Sequence, residues 1–238
     1  MAIFAIKDTR LLIGGLDVSG SINECGVTYQ AEIKDATVMN PNGARDKRSG
    51  LIDIALDHRG FWDSAPDEAL FTAINGTEQI ITAAPESALV GGVGYSFKAQ
   101  QASYAPGARV GEMFGFSVRA EGKGKLVRGT ILLNGTLTAT GNTSPSLLGA
   151  VTAVQKVYAA MHVLSASGAS PTLDMKLQSD DAVDFLSPID RITFAQATAT
   201  GAQFLSAAGP VSDTHWRLSW SIAGTTPSFV VVVNVGIA

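Results

Sequence analysis

"NPNGARDKRSGLIDIALDHRGFWD", from Asn40 to Asp63, decides how this chain is read. Its first eleven residues carry no apolar side chain larger than Ala or Pro. Arg45, Asp46, Lys47 and Arg48 follow one another there. From Leu51 the pattern changes, and Ile52, Ile54 and Leu56 alternate with Asp53 and Asp57. Alternation with period two belongs to a strand with one buried face. The stretch therefore reads as a charged loop over 40–50 feeding a strand. Upstream, "GVTYQAEIK" sets Val27, Tyr29, Ala31 and Ile33 against Thr28, Gln30, Glu32 and Lys34, a second such strand. A long polar loop between neighbouring strands is mobile or binds something.

Working outward, the same period recurs. "YSFKAQ" alternates Tyr95, Phe97 and Ala99 with Ser96, Lys98 and Gln100, and "MFGFSVRAE" sets Phe114, Phe116 and Val118 against Gly115, Ser117 and Arg119. One segment differs. "DSAPDEALFTAING" offers Ser64 as N-cap, Pro66 in the first turn, Asp67 and Glu68 at the positive end, and Gly76 as a stop, which predicts a helix near 64–75 with Leu70, Phe71 and Ile74 buried. "EGKGKLVRG" (Glu121–Gly129) reads as a hinge or surface turn. Beyond it come "VYAAMHVLSAS", "TLDMKLQSD", "DRITFAQATAT" and "THWRLSWSIAG", the last with Trp216, Leu218, Trp220 and Ile222 inward. "SFVVVVNVGI" is apolar on both faces and predicts a strand covered on both sides. The expected fold is mainly β, an antiparallel sandwich or barrel with one flanking helix over 1–128 and a second all-β domain over 129–238.

Composition narrows the function. Of 238 residues, 46% are hydrophobic and 16% charged, below the usual quarter, with a net charge of −4. Burial of the surface against other subunits accounts for this, and so does a monomer with a Ser/Thr/Gly-rich surface. No basic stripe is present to grip a phosphate backbone. The single Cys25 excludes an internal disulfide and a multi-cysteine metal site. The start, "MAIFAIKDTR", has no long apolar run, which reads as no signal peptide and folding in a cytoplasm.

Clusters that could carry chemistry are sparse. His58, His162 and His215 each sit in or beside a strand without a second ligand at metal spacing. Cys25 has no basic neighbour to lower its pKa. "GGVGYS" (Gly91–Ser96) has no helix behind it to bind phosphate. Asp180 and Asp181 with Asp184 make an acidic turn that lacks the Gly and Glu of a calcium loop. Trp216 and Trp220 could stack a sugar, but inward residues of a covered strand are core. No enzyme, metal or cofactor is expected.

The order of elements resembles a known family. A strand pair joined by a long charged loop, a strand running into "GFWD", the helix "DEALFTAI" and the later "YSFKAQQASYAPGARVGEMFGFSVRAEG" resemble the major tail proteins of long-tailed bacteriophages, over most of residues 9–128 and more loosely beyond. The resemblance implies a virion protein of the phage tail, made in the host cytoplasm, that forms rings stacked into a hollow tube for DNA ejection. It places the inter-ring loop on Asn40, Pro41, Asn42, Gly43, Ala44, Arg45, Asp46, Lys47, Arg48 and Ser49. It implies a lumen wall of acidic or neutral residues, here Glu32, Asp53 and Asp57, past which DNA slides without tight binding. Implied partners are further copies of the chain, tape-measure, terminator and baseplate proteins. If the second half repeats the fold, three copies make a pseudo-sixfold ring, the favoured form. If it decorates the tube, the ring is a hexamer. A β-sandwich adhesin or carbohydrate-binding module, a decoration protein and a baseplate-hub protein stay open as alternatives.

Overall fold

The computed structural model describes residues 8–39, 44–74 and 76–238. In chain order the elements are β1 (Arg10–Ile13), β2 (Leu16–Asp17), β3 (Ile22–Asp35), β4 (Lys47–Phe61), α1 (Ser64–Thr72), β5 (Gln79–Ala84), β6 (Val93–Gly107) and β7 (Gly115–Leu137). After these come β8 (Gly141–Asn142), β9 (Ser146–Leu147), β10 (Lys156–Asp180), β11 (Ile189–Thr193), β12 (Gly201–Ala208) and β13 (His215–Ile237). The chain is mainly β, its ladders pair antiparallel, and the described residues include one short helix, the class the alternation predicts.

Two compact units divide the chain, and they do not follow a cut at 128. Of the described residues, the first comprises those up to Gly20 with 79–98 and 127–238, and the second those within 21–78 and 99–126. The expected turn at Glu121–Gly129 lies inside the unbroken β7. Its glycines serve the strand. A Cβ on Gly122 would stand 2.4 Å from the Cβ of Ile54, and Gly124 takes φ +83°, open to glycine without penalty. Glycine here permits close approach and a bend, and the chain runs on.

In the first unit the strands lie in the order β11-β10-β13-β7-β6-β5-β1-β2, with β12 also on β10. The last strand is thus internal. Phe229–Val235 pairs with β7 on one side and β10 on the other, and Val231, Val232, Val233 and Val235 are all buried, as the doubly apolar run predicts. β10 and β13 each join two segments that read as separate strands. Left-handed residues at Gly168, Ser170, Gly224 and Thr226 bend both strands together without ending them. "DRITFAQATAT" stops being a strand at Thr193. Trp216, Leu218, Met175, Leu177 and Phe229 share the core. Trp220 is only partly buried, with its indole N–H donating to the Ala139 carbonyl at 2.9 Å.

A polar chain crosses the same unit. The Asn234 amide donates to Ser96 Oγ (2.8 Å), Ser96 and Thr82 hydroxyls meet at 2.8 Å, Thr82 Oγ1 meets His162 Nε2 at 2.7 Å, and His162 Nδ1 meets the Gly14 carbonyl at 2.7 Å. The Gly14 carbonyl can only accept, which puts a proton on Nδ1; burial keeps the ring neutral, so Nε2 accepts from Thr82, Thr82 accepts from Ser96, and Ser96 accepts from the Asn234 amide.

In the second unit β3 and β4 form a long hairpin, and β4 pairs on its other side with β7 from Ala55↔Glu121 to Phe61↔Gly115. Ile54, Leu56, Phe116, Val118 and Ala120 are buried. A Cβ on Gly60 would lie 1.9 Å from the Ser21 carbonyl, so only glycine lets the two strands pass. The helix cap is Asp63, one residue before the expected Ser64; its carboxylate accepts from the Ala65 N–H at 3.2 Å. The helix ends at Thr72. Leu70 is buried, but Phe71 is exposed and Ile74 only half-buried, so the expected apolar stripe narrows to Leu70 and Pro66. Trp62 Nε1 and the Tyr104 hydroxyl both donate to Asp67, which ties the first turn to the strands. Asp63→Ala is expected to cost about 1 kcal/mol, the usual loss for an N-cap. Urea unfolding of this single variant checks it.

Candidate assembly surface

The charged stretch is shorter as a loop than its sequence suggests. β4 begins at Lys47, and Lys47, Arg48 and Ser49 pair with Asp35, Lys34 and Ile33. The Ala36 N–H donates to the Asp46 carbonyl at 2.9 Å, continuing the ladder by one rung. The expected loop 40–50 is thereby corrected at its end: strand pairing claims Lys47 to Gly50 because β3 runs on opposite them. Ala44, Arg45 and Asp46 lie outside the strands, and Asn40, Pro41, Asn42 and Gly43 lie outside the described residues.

The hairpin outgrows its cover. Among the described residues β4 is backed by β7 only as far as Ala55, and β3 pairs with β4 alone, leaving its other edge without a strand. Past that point the apolar side of the alternation is uncovered: Tyr29 is 51% exposed, Ile33 60% and Ile52 53%. Ile52 was expected in the core with Ile54 and Leu56. It sits beyond the end of the ladder with β7, and it is about half exposed. An open edge with exposed apolar side chains is a surface that natural monomers suppress.

The opposite side is polar. Across the ladder Gln30 faces Asp53, and Gly26 faces Asp57, which in turn faces Arg119 of β7. Asp57 and Arg119 pair at 2.9 Å, Arg119 and Glu121 at 2.7 Å, Glu24 and Arg59 at 3.7 Å, and Glu32 and Lys34 at 3.3 Å. The bond from Glu121, then the charge of Asp57, hold the Arg119 guanidinium above its usual pKa. Glu32, Asp53 and Asp57 are all exposed. The sequence could not show that Arg119 and Arg59 share their side. The face is a mixed-charge surface with a slight acidic excess.

Elsewhere the titratable groups build structure. His58 is fully buried against Phe116, ring centroids 5.8 Å apart, with neither ring nitrogen hydrogen-bonded. Burial lowers its pKa to about 4 against the pull of Asp57. Burial also brings His162 to about 4 and lifts the Cys25 thiol to about 11, away from a nucleophilic thiolate. Asp180 caps the 181–187 turn by accepting from the N–H groups of Ala182 and Ser187, and Asp213 joins Ser179 and Arg191. No three His, Cys, Asp or Glu side chains come together at metal-binding range among the described residues. Trp216 is entirely buried and offers no stacking face.

No family model and no curated protein matches the chain. Solved structures do. The chain is similar to a subunit in the tail of an empty gene transfer agent particle refined with C6 symmetry, at 16% identity and a TM-score of 0.40 over 49% of this chain and 92% of that one. It is similar to the SPP1 tail tube, at 11% identity and 0.40 over 52% and 77%. It is similar to the SPP1 Dit protein of the hub adsorption apparatus, at 13% identity and 0.39 over 98% and 100%.

Proposed function

We propose that the chain is a structural subunit of a phage-type tail that oligomerises into rings and stacks them into a hollow tube. The observation that carries this reading is the β3–β4 hairpin. It extends past its supporting strand, keeps one edge unpaired among the described residues, and exposes Tyr29, Ile33 and Ile52 on one side and a mixed-charge surface on the other. A sheet with an open edge and an uncovered apolar side is completed by another chain. The end of the hairpin, Ala44 to Ser49 with the residues before it, serves as the arm between rings. The Glu32, Asp53 and Asp57 side faces the lumen, where ion-paired charge with a small acidic excess gives DNA nothing to hold. This is also the role that the resemblance of the sequence to major tail proteins implies.

Electron microscopy of the concentrated protein tests it. Long hollow cylinders are the expected result. Rings that never stack would move the chain to a hub role, and a protein monomeric at every concentration would overturn the proposal.

A further inference from the structure

The end of the hairpin carries two kinds of unsatisfied surface. Ile33, Val38 and Met39 are exposed apolar residues. Among its charges, Lys34 pairs with Glu32 and Arg48 with Asp46 at 3.2 Å, while Arg45 and Lys47 take part in no ion pair among the described residues. A second surface, in the other compact unit, has the same make-up with the opposite sign. The turn between β10 and β11 exposes Val183 and Leu186 beside Asp181 and Asp184. The ion pairs nearby use Asp190 and Asp213 and leave these two carboxylates without a cation among the described residues. The hydrogen bond to Asp180 and the charge of Asp180 push the Asp181 carboxyl up, the mark of local excess negative charge.

The turn is preformed. Asp180 accepts from the N–H groups of Ala182 (3.1 Å) and Ser187 (2.9 Å), pinning both ends. Phe185 adopts φ +52° and is buried beneath the Arg217 guanidinium, 4.4 Å from its ring centre. Anchored there, its neighbours Asp184 and Leu186 point outward. A rigid apolar and acidic knob loses little entropy on docking.

From this pairing we infer that the hairpin end of one copy docks on the 181–187 turn of a second copy, Arg45 and Lys47 against Asp181 and Asp184, around an apolar centre of Val38, Met39, Val183 and Leu186. The inference rests on the proposed assembly and names the receiving surface. The contact joins different patches of the two copies, so unless two copies exchange hairpins reciprocally about a twofold axis it propagates into a closed ring or an open stack.

Two charge reversals test it, R45E with K47E and D181K with D184K. Alone, each variant presents like charges across the contact and is expected to raise the concentration for assembly by about tenfold or more, in low salt. Mixed one to one, each supplies the complement of the other, and assembly is expected to return toward the wild-type concentration. Sedimentation velocity reads both results. In wild-type assemblies a zero-length carbodiimide cross-link is expected between Lys47 of one copy and Asp181 or Asp184 of another, and this keeps the test open if a variant fails to fold. Unchanged assembly of either variant, a mixture no better than its components, or inter-copy cross-links that omit this pair would overturn the contact and leave the tail reading standing. A wild-type protein that never assembles would overturn both.

Discussion

Between pH 7 and pH 4 the protein is expected to lose on the order of 3 kcal/mol of stability for each of two buried histidines, at about 1.36 kcal/mol per pKa unit. His58 and His162 both have folded pKa values near 4, against 6.5 when unfolded. Their folded values are depressed, so the unfolded chain takes up the protons first. The stability held in each neutral ring is complete above about pH 6.5 and drains away as pH falls toward 4. The causes are specific. His58 has no partner to receive an added proton. His162 would have to carry it on Nε2, where the Thr82 hydroxyl now donates, so Thr82 would turn to donate to Ser96, which already accepts from the Asn234 amide and would lose its own acceptor. Carboxylates add their own pH dependence, so the measurement is a difference. Urea midpoints of the wild type, H58F and H162Q at pH 7, 5 and 4 should show a shallower fall in each variant. Parallel slopes in all three would refute the assignment. The histidines belong to different units, so each variant should flatten the response of its own unit.

Trp216→Ala is expected to destabilise the first unit by about 3–5 kcal/mol, the range for emptying a buried aromatic site. The indole is completely enclosed, and its N–H donates to the Gly149 carbonyl at 2.9 Å, so truncation leaves both a cavity and an orphaned carbonyl. Trp220→Ala should cost clearly less, because Trp220 only lies against the edge of that core. Thermal melts of the two variants decide the order. Equal losses, or a larger loss at Trp220, would show that the core is centred elsewhere.

The two tryptophans mark how far the sequence could be read. Strict alternation from His215 to Ile222 sets both rings on one side, and that is correct. It cannot tell where along the strand the covering elements stop. Ile52 fails in the same way: its parity agrees with Ile54 and Leu56, but β7 ends its ladder at Ala55. Period two reports the face of a strand; cover is a property of chains far away in sequence. Glycines mislead for a related reason. Gly122, Gly168 and Gly224 look like breaks because glycine ends many elements, yet each lets a long strand bend or pass another closely. The doubly apolar "FVVVVNVGI" was legible because burial on both faces leaves no alternation to misplace. At the candidate surface the acidic residues were legible and their partners were not, since Arg119 reaches Asp57 across 62 positions of chain.

The placement of β13 has a consequence for how the protein can be made. Its closing segment lies between β7 and β10, so the middle of the first unit stays vacant until the final residues of this sequence emerge from the ribosome. The second unit needs nothing beyond Leu126 and can close while synthesis continues. Once β10 is complete at Asp180, a nascent chain therefore holds an unfinished first unit, with the place of β13 between β7 and β10 unfilled, until Phe229–Val235 is made. Any chain cut short before Phe229 lacks the strand that fills the gap and remains a target for proteolysis. Only finished copies of this sequence have a completed first unit to contribute to an assembly.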